Sequence, residues 1–203
     1  MQTIAIIDYG MGNVRSVQKA IEYVAPNDYC VLTDNLNIIA EADRVVFPGQ
    51  GAMGACMSAL KEHKLNEVIK KAANEKPFLG ICLGLQLLFD FSEENNGTKG
   101  LSIIPGNVIK FKNSQLKIPH MGWNMVKQVS NHPLWNKIED NSRFYSVHSY
   151  YVKENHKSYV TGTTEYGIKF TSAVAIGKLF AVQFHPEKSQ KDGLQLLKNF
   201  TNW

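Results

Sequence analysis

The first hundred or so residues alternate short apolar runs with stretches of helical periodicity, the pattern of a parallel sheet covered by helices. Strands are predicted at Ile4–Ile7, Tyr29–Leu32, Arg44–Phe47 and Phe78–Ile81. Between the first two, Val14, Val17, Ile21 and Val24 recur at helical spacing behind Asn13, a residue suited to cap a helix N-terminus. Together they make one βαβ unit. Beyond this half the pattern changes to short β-like segments punctuated by Gly and Pro: Val108–Ile109, Asn124–Val129, Phe144–Tyr150, Tyr159–Thr164, Ala173–Ile176 and Leu179–Gln183. The second half therefore reads as antiparallel or mixed. A closing stretch with Leu194, Leu196, Leu197 and Phe200 predicts an amphipathic helix that packs back on the sheet. With no internal repeat, low-complexity tract or interdomain linker, the 203 residues read as one domain spanning 1–203.

Composition narrows the class of function. A 44% hydrophobic and 20% charged chain is that of a soluble globular protein. No apolar run approaches the roughly 20 residues that span a bilayer. The segment Met1–Asp8 lacks a basic region and a small-residue cleavage site, so it reads as a first strand and implies a cytoplasmic location. The net charge of +4 comes from dispersed lysines, and no aromatic stacking motif accompanies them. Nucleic acid and membrane are thereby set aside as partners, whereas a phosphorylated ligand or an acidic protein is compatible. Cys30, Cys56 and Cys82 are odd in number and lack CxxC spacing, which argues against a disulfide framework or a zinc cluster. With no HExxH or clustered His/Cys/Asp set, neither a metal nor a cofactor is expected.

The densest chemical signal lies in Lys76–Phe89, where a buried strand runs through Gly80-Ile81-Cys82-Leu83-Gly84 into an apolar helix. This is a nucleophile elbow with cysteine in place of serine. Gly80 and Gly84 allow the close approach of backbone and neighbouring helix, while the residue between them is forced into a strained, exposed position. At a helix N-terminus Cys82 would also be favoured as the thiolate, the form that attacks carbonyls. A free cysteine is more often a buried packing residue; the strand before it and the glycine on each side argue otherwise here.

An acyl-transferring thiolate needs a proton shuttle. In Phe180–Lys188, His185 ends an apolar strand and Pro186 biases it toward extended backbone, so that His185 and Glu187 can face the same side at i, i+2 and one carboxylate can orient one imidazole. His-x-Glu alone is a weak pattern, but beside the elbow it reads as catalytic. Oxyanion donors are best supplied by backbone N–H groups on a glycine-rich turn, and Phe47–Gly54, containing Gly49 and Gly51, follows the third strand directly. The other glycine-rich loop, Asp8–Arg15, does not suit a dinucleotide, because Arg15 stands where the third glycine belongs. His63, His132 and His156 lie in polar stretches. His120 and His148 sit in dense aromatic segments where a packed imidazole is as reasonable as a ligand contact.

The elbow Gly80–Gln86, the turn Pro48–Gly51 and the segment His185-Pro186-Glu187 together resemble the class I (triad) glutamine amidotransferases. Asp8–Asn13, Pro119–Asn124, Val147–Tyr151 and Gln183–Ser189 bring the resemblance nearest to the branch whose glutaminase subunits supply ammonia for imidazole glycerol phosphate formation in histidine biosynthesis. These motifs cover nearly the whole chain. The resemblance implies a flavodoxin-like α/β fold, a mixed sheet with helices on both faces. It implies that Cys82 attacks the carboxamide of glutamine to give a thioester and ammonia, that His185 relays protons and that Glu187 holds His185. It places the oxyanion at Gly49 and Gly51, the glutamine backbone at Gln86, His148, Ser149 and Tyr150, and Asn13, Trp123 and Lys188 toward a (β/α)8-barrel cyclase subunit forming a heterodimer with this chain. The sequence departs from that family at Gln50, where Val is usual, and at Met53, where Phe is common. Three other functions remain compatible with the residues: an ammonia-supplying subunit for a synthase of amidated sugars, a non-catalytic binding module on the same fold, and a hydrolase of peptides or γ-glutamyl compounds that works alone.

Overall fold

The computed structural model describes residues 1–112 and 116–203. Its first half runs β1 (Thr3–Ile7), α1 (Val14–Val24), β2 (Tyr29–Thr33), α2 (Leu36–Glu41), β3 (Arg44–Gly49), α3 (Met53–Glu62), α4 (Asn66–Glu75), β4 (Phe78–Cys82) and α5 (Leu83–Leu87). The second half adds β5 (Phe89–Ser92), β6 (Thr98–Lys99), β7 (Ile104–Lys110), β8 (His120–Met125), β9 (Lys127–Gln128), β10 (Arg143–His148), β11 (Tyr150–Glu154), β12 (Val160–Glu165), β13 (Lys169–Ile176), β14 (Leu179–Val182) and α6 (Gln190–Thr201).

Twelve of the strands form one mixed sheet in the order β2-β1-β3-β4-β14-β13-β11-β7-β5-β6, with β12 pairing β13 and β9. The strands β1 to β4 and β14 pair in parallel, and β13, β12 and β11 continue antiparallel. Alternation along the parallel strands feeds two cores. Ala5, Ile7, Val45, Phe47 and Phe78 face Ile39, Cys56, Leu60 and Ile69 from α2, α3 and α4, whereas Ile4, Ile6, Val46, Leu79 and Ile81 face α1 and α6 through Val17, Ile21, Leu196, Leu197 and Phe200. The side-chain period of two on a strand thus puts helices on both faces, and the flavodoxin-like expectation holds.

Three predicted details change. Asn13 occupies the N-cap position of α1, but its side chain makes no cap bond and its backbone lies at φ −87°, ψ 57°. Its carbonyl instead receives the N–H groups of Ser16 and Val17. The predicted strand Asn124–Val129 is two strands, β8 and β9, broken at Val126, whose N–H bonds Ser142 instead of a strand partner. Likewise Phe144–Tyr150 is divided at Ser149: β10 pairs antiparallel with β8 in a separate two-stranded sheet, and β11 joins the main sheet beside β7. The apolar alternation continues across that break because both pieces have a buried face; what changes is the hydrogen-bonding partner.

The register sets Gly49 opposite Cys82 and Ile81 opposite Val182. The C-terminal ends of β3, β4 and β14 therefore lie side by side, the edge at which open parallel sheets receive ligands.

Candidate active site

Cys82 sits where β4 gives way to α5, with φ 56° and ψ −112°, a left-handed backbone that a side-chain-bearing residue adopts only at a cost. The neighbouring glycines make that turn possible. A Cβ on Gly84 would lie 1.9 Å from the Phe47 carbonyl oxygen, and one on Gly80 would lie 2.9 Å from the Ala181 Cβ. Since α5 has only five residues, what it offers the sulfur is the unpaired N–H groups of its first turn more than a long macrodipole. Around Cys82 Sγ stand the Val147 carbonyl at 4.0 Å and Gln183 Nε2 at 3.9 Å.

His185 follows β14 in extended backbone (φ −105°, ψ 95°), and Pro186 starts a single turn that swings Glu187 back toward it. His185 Nδ1 donates to Glu187 Oε1 at 2.9 Å, with only 7% and 2% of the two side chains exposed. A carboxylate only accepts, so Nδ1 carries the proton and Nε2 is left to serve the cavity; among the described residues Nε2 has no hydrogen-bond partner. Burial by itself would lower the imidazole pKa, but the charge of Cys82 and then Glu187 outweigh it and raise it to about 10. The imidazole is thus held as an imidazolium beside sulfur.

Cys82 and His185 line one cavity of about 320 Å³. Gln50 and Gly51 line it from the turn after β3, Gln86 from α5, and His148, Ser149, Tyr150 and Lys188 complete the lining. Gly49 lies just behind, where a Cβ would be 2.9 Å from the Gly84 nitrogen, so only glycine fits. Gly51, at φ 96°, sits in the region glycine favours. The Tyr9 hydroxyl donates to the Pro48 carbonyl at 3.1 Å, and the Cys56 thiol donates to the Gln50 carbonyl at 3.5 Å, so the turn is held from beneath on both sides. Burial and the neighbouring Cys56 raise the Tyr9 pKa well above its ordinary value, keeping that hydroxyl a donor.

His148 is buried and neutral: burial lowers its pKa to about 3, and its Nδ1 donates to the Tyr150 carbonyl at 2.8 Å. Its Nε2 meets His120 Nδ1 at 3.0 Å, and His120 itself does not line the cavity. Of the remaining expected residues, Asn13 and Trp123 do not join the cavity. Asn13 is exposed at the start of α1, and Trp123 is 44% exposed on β8, edge-on to Tyr145 at 6.3 Å. Lys188 reaches the same Tyr145 ring at 5.9 Å, so it bridges the cavity and the β8–β10 surface.

Several residues at the site were not singled out in the sequence. Gln183 carried a readable signal, a polar side chain closing an apolar strand two residues before His185. Glu94 carried none: it lines the cavity and its Oε2 accepts the Met53 N–H at 2.8 Å, satisfying the start of α3, a contact between positions 41 residues apart. Among the described residues no group of three or more His, Cys, Asp or Glu is arranged to hold a metal ion, and no helix is long and apolar enough to cross a membrane.

A strained cysteine elbow opposite a His–Glu pair, at the C-terminal edge of a mixed α/β sheet, can perform acyl transfer through a thioester. The profile of the family "Glutamine amidotransferase class-I" matches residues 5–203. The chain belongs to the class I glutamine amidotransferases. This amidotransferase is 54% identical over 211 residues to the imidazole glycerol phosphate synthase subunit HisH of Aromatoleum aromaticum, covering 100% of this chain and 99% of that relative. It is 54% identical over 208 residues to the subunit of the same name from Thiobacillus denitrificans, covering 98% of this chain and 91% of that one. Among solved structures, PurLQS from Thermotoga maritima matches the amidotransferase with a TM-score of 0.77 at 17% identity, covering 100% of this chain and 99% of the other. At that identity the likeness speaks for the fold alone.

Proposed function

We propose that this amidotransferase is the glutaminase subunit of an imidazole glycerol phosphate synthase in histidine biosynthesis, working in the cytoplasm and delivering ammonia to a (β/α)8-barrel cyclase with which it forms a heterodimer. The observation that carries the chemistry is the Cys82 elbow, strained at φ 56°, sharing one cavity with the buried His185–Glu187 pair. The acceptor follows from the identity of 54% across nearly the full length of relatives named for that synthase.

In this reading the Cys82 thiolate attacks the carboxamide carbon of glutamine. The S–C bond forms as the carbonyl electrons move to oxygen, and N–H groups of the Gly49–Gly51 turn hold the oxyanion. His185 Nε2 gives its proton to the amide nitrogen as the C–N bond breaks, releasing ammonia and leaving a γ-glutamyl thioester. The now neutral imidazole takes a proton from water while the hydroxyl adds to the thioester carbonyl; the C–S bond breaks, glutamate leaves and the thiolate–imidazolium pair returns. Glu187 keeps the Nδ1 proton in place, and so keeps Nε2 facing the reaction. Gln86, with the His148-Ser149-Tyr150 segment, holds the glutamine backbone. Asn13, Trp123 and Lys188 face the cyclase.

The test is glutamine hydrolysis by wild type and Cys82→Ala with the barrel cyclase and its nucleotide substrate present. The variant should fold and lose at least about four orders of magnitude in hydrolysis. Retained hydrolysis would sink the assignment of Cys82. Ammonia consumed only with the acceptor of an amidated-sugar synthase would move the chain to that paralogous function.

A further inference from the structure

The polar groups behind the cavity form a directed chain that ends on the sulfur. The Tyr150 carbonyl, which can only accept, receives Gln86 Nε2 at 3.1 Å and His148 Nδ1 at 2.8 Å. This fixes the Gln86 amide with its nitrogen toward Tyr150, and the same nitrogen donates to Gln183 Oε1 at 2.9 Å. With its oxygen so engaged, Gln183 must turn its own Nε2, the donor end, toward Cys82 Sγ at 3.9 Å. Gln183 is 1% exposed and Gln86 4%, so neither amide is free to reorient into solvent.

The Val147 carbonyl, at 4.0 Å from the same sulfur, can accept from a thiol and offers a thiolate nothing. The two neighbours therefore favour opposite protonation states of Cys82. Hydrogen bonds that donate to an ionised group are the stronger kind.

We propose that Gln183 is a catalytic donor to the Cys82 thiolate, oriented through Gln86 by the Tyr150 carbonyl and acting on the sulfur in addition to His185. This rests on Cys82 being the nucleophile. Its consequence is that the thiolate is available before glutamine binds, and that the sulfur remains solvated by a protein N–H when it leaves the thioester in the second half of the reaction.

The experiment measures alkylation of Cys82 by iodoacetamide across pH, which needs neither glutamine nor the cyclase. Gln183→Met keeps the volume and removes the donor; Gln183→Glu keeps the shape and replaces the donor with an acceptor. At neutral pH the rate should fall about tenfold in Gln183→Met, the effect of one lost hydrogen bond to a charged group, and further in Gln183→Glu, with the alkylation profile moved to higher pH in both. Folded variants that keep the wild-type profile would overturn the proposal. Should neither variant fold, the side-chain amide protons of Gln183 in the wild-type protein decide: they should shift downfield as the thiolate forms and lose that shift once Cys82 is alkylated, and unchanged resonances would overturn it. Failure of Cys82 to support glutamine hydrolysis at all would be seen separately in Cys82→Ala.

Discussion

His185 is governed by two neighbours that pull in one direction against burial. Desolvation favours the neutral imidazole, yet Cys82 and Glu187 hold the charged form to about pH 10. Because the folded value lies above the usual 6.5, the pair contributes stability that is fully present below about pH 6.5 and is lost as pH rises through about 10. Cys82 supplies the larger of the raising influences. An NMR titration of His185 should thus find it moved to lower pH in Cys82→Ala than in wild type, while the Glu187 contact still keeps it above a free imidazole buried to the same extent. An unmoved titration would show that sulfur and imidazole are not coupled. Cys82, His185 and Glu187 were legible in the sequence because each belongs to a short motif whose spacing has local consequences: glycines two residues from the nucleophile, and a proline between His185 and Glu187. Gln183, Glu94 and Tyr9 act over long sequence separations, through contacts that only the folded chain creates.

At the scale of elements, the division at Ser149 matters most. By leaving the β8–β10 pair and entering the main sheet at β11, the chain carries His148, Ser149 and Tyr150 into the lining of the cavity. The outer face of β8 shows Met121, Trp123 and Met125, which are 59%, 44% and 49% exposed at alternate positions. Such an apolar row on a small sheet beside the cavity suits the proposed contact with the cyclase. Trp123→Ala should leave the thermal unfolding of the isolated chain nearly unchanged and weaken cyclase binding in calorimetry by about 30-fold, the roughly 2 kcal/mol of a buried aromatic anchor. Unchanged affinity would put the partner elsewhere. The alternation of β8 and β10 was readable, whereas their departure from the main sheet was not: a buried face has the same period of two whichever sheet it covers.

Across the whole molecule, the α/β architecture was readable from its parallel half, where Ile4–Ile7, Val45–Phe47 and Phe78–Ile81 are continuous apolar runs because both their faces are covered. The helix α3 had a weaker amphipathic signature, and β5 and β6 have four and two residues, too short to impose a pattern. What the fold achieves is the convergence of β3, β4 and β14 at one edge, so that turn, nucleophile and imidazole meet although they come from positions 49, 82 and 185. The central claim is that Cys82 becomes covalently acylated by glutamine. Acid-quenched turnover with glutamine and the cyclase, followed by mass spectrometry of the peptide containing Cys82, should find a γ-glutamyl adduct on that residue in wild type and none in Cys82→Ala. Hydrolysis proceeding at the wild-type rate with no adduct on Cys82 at any quench time would contradict the account.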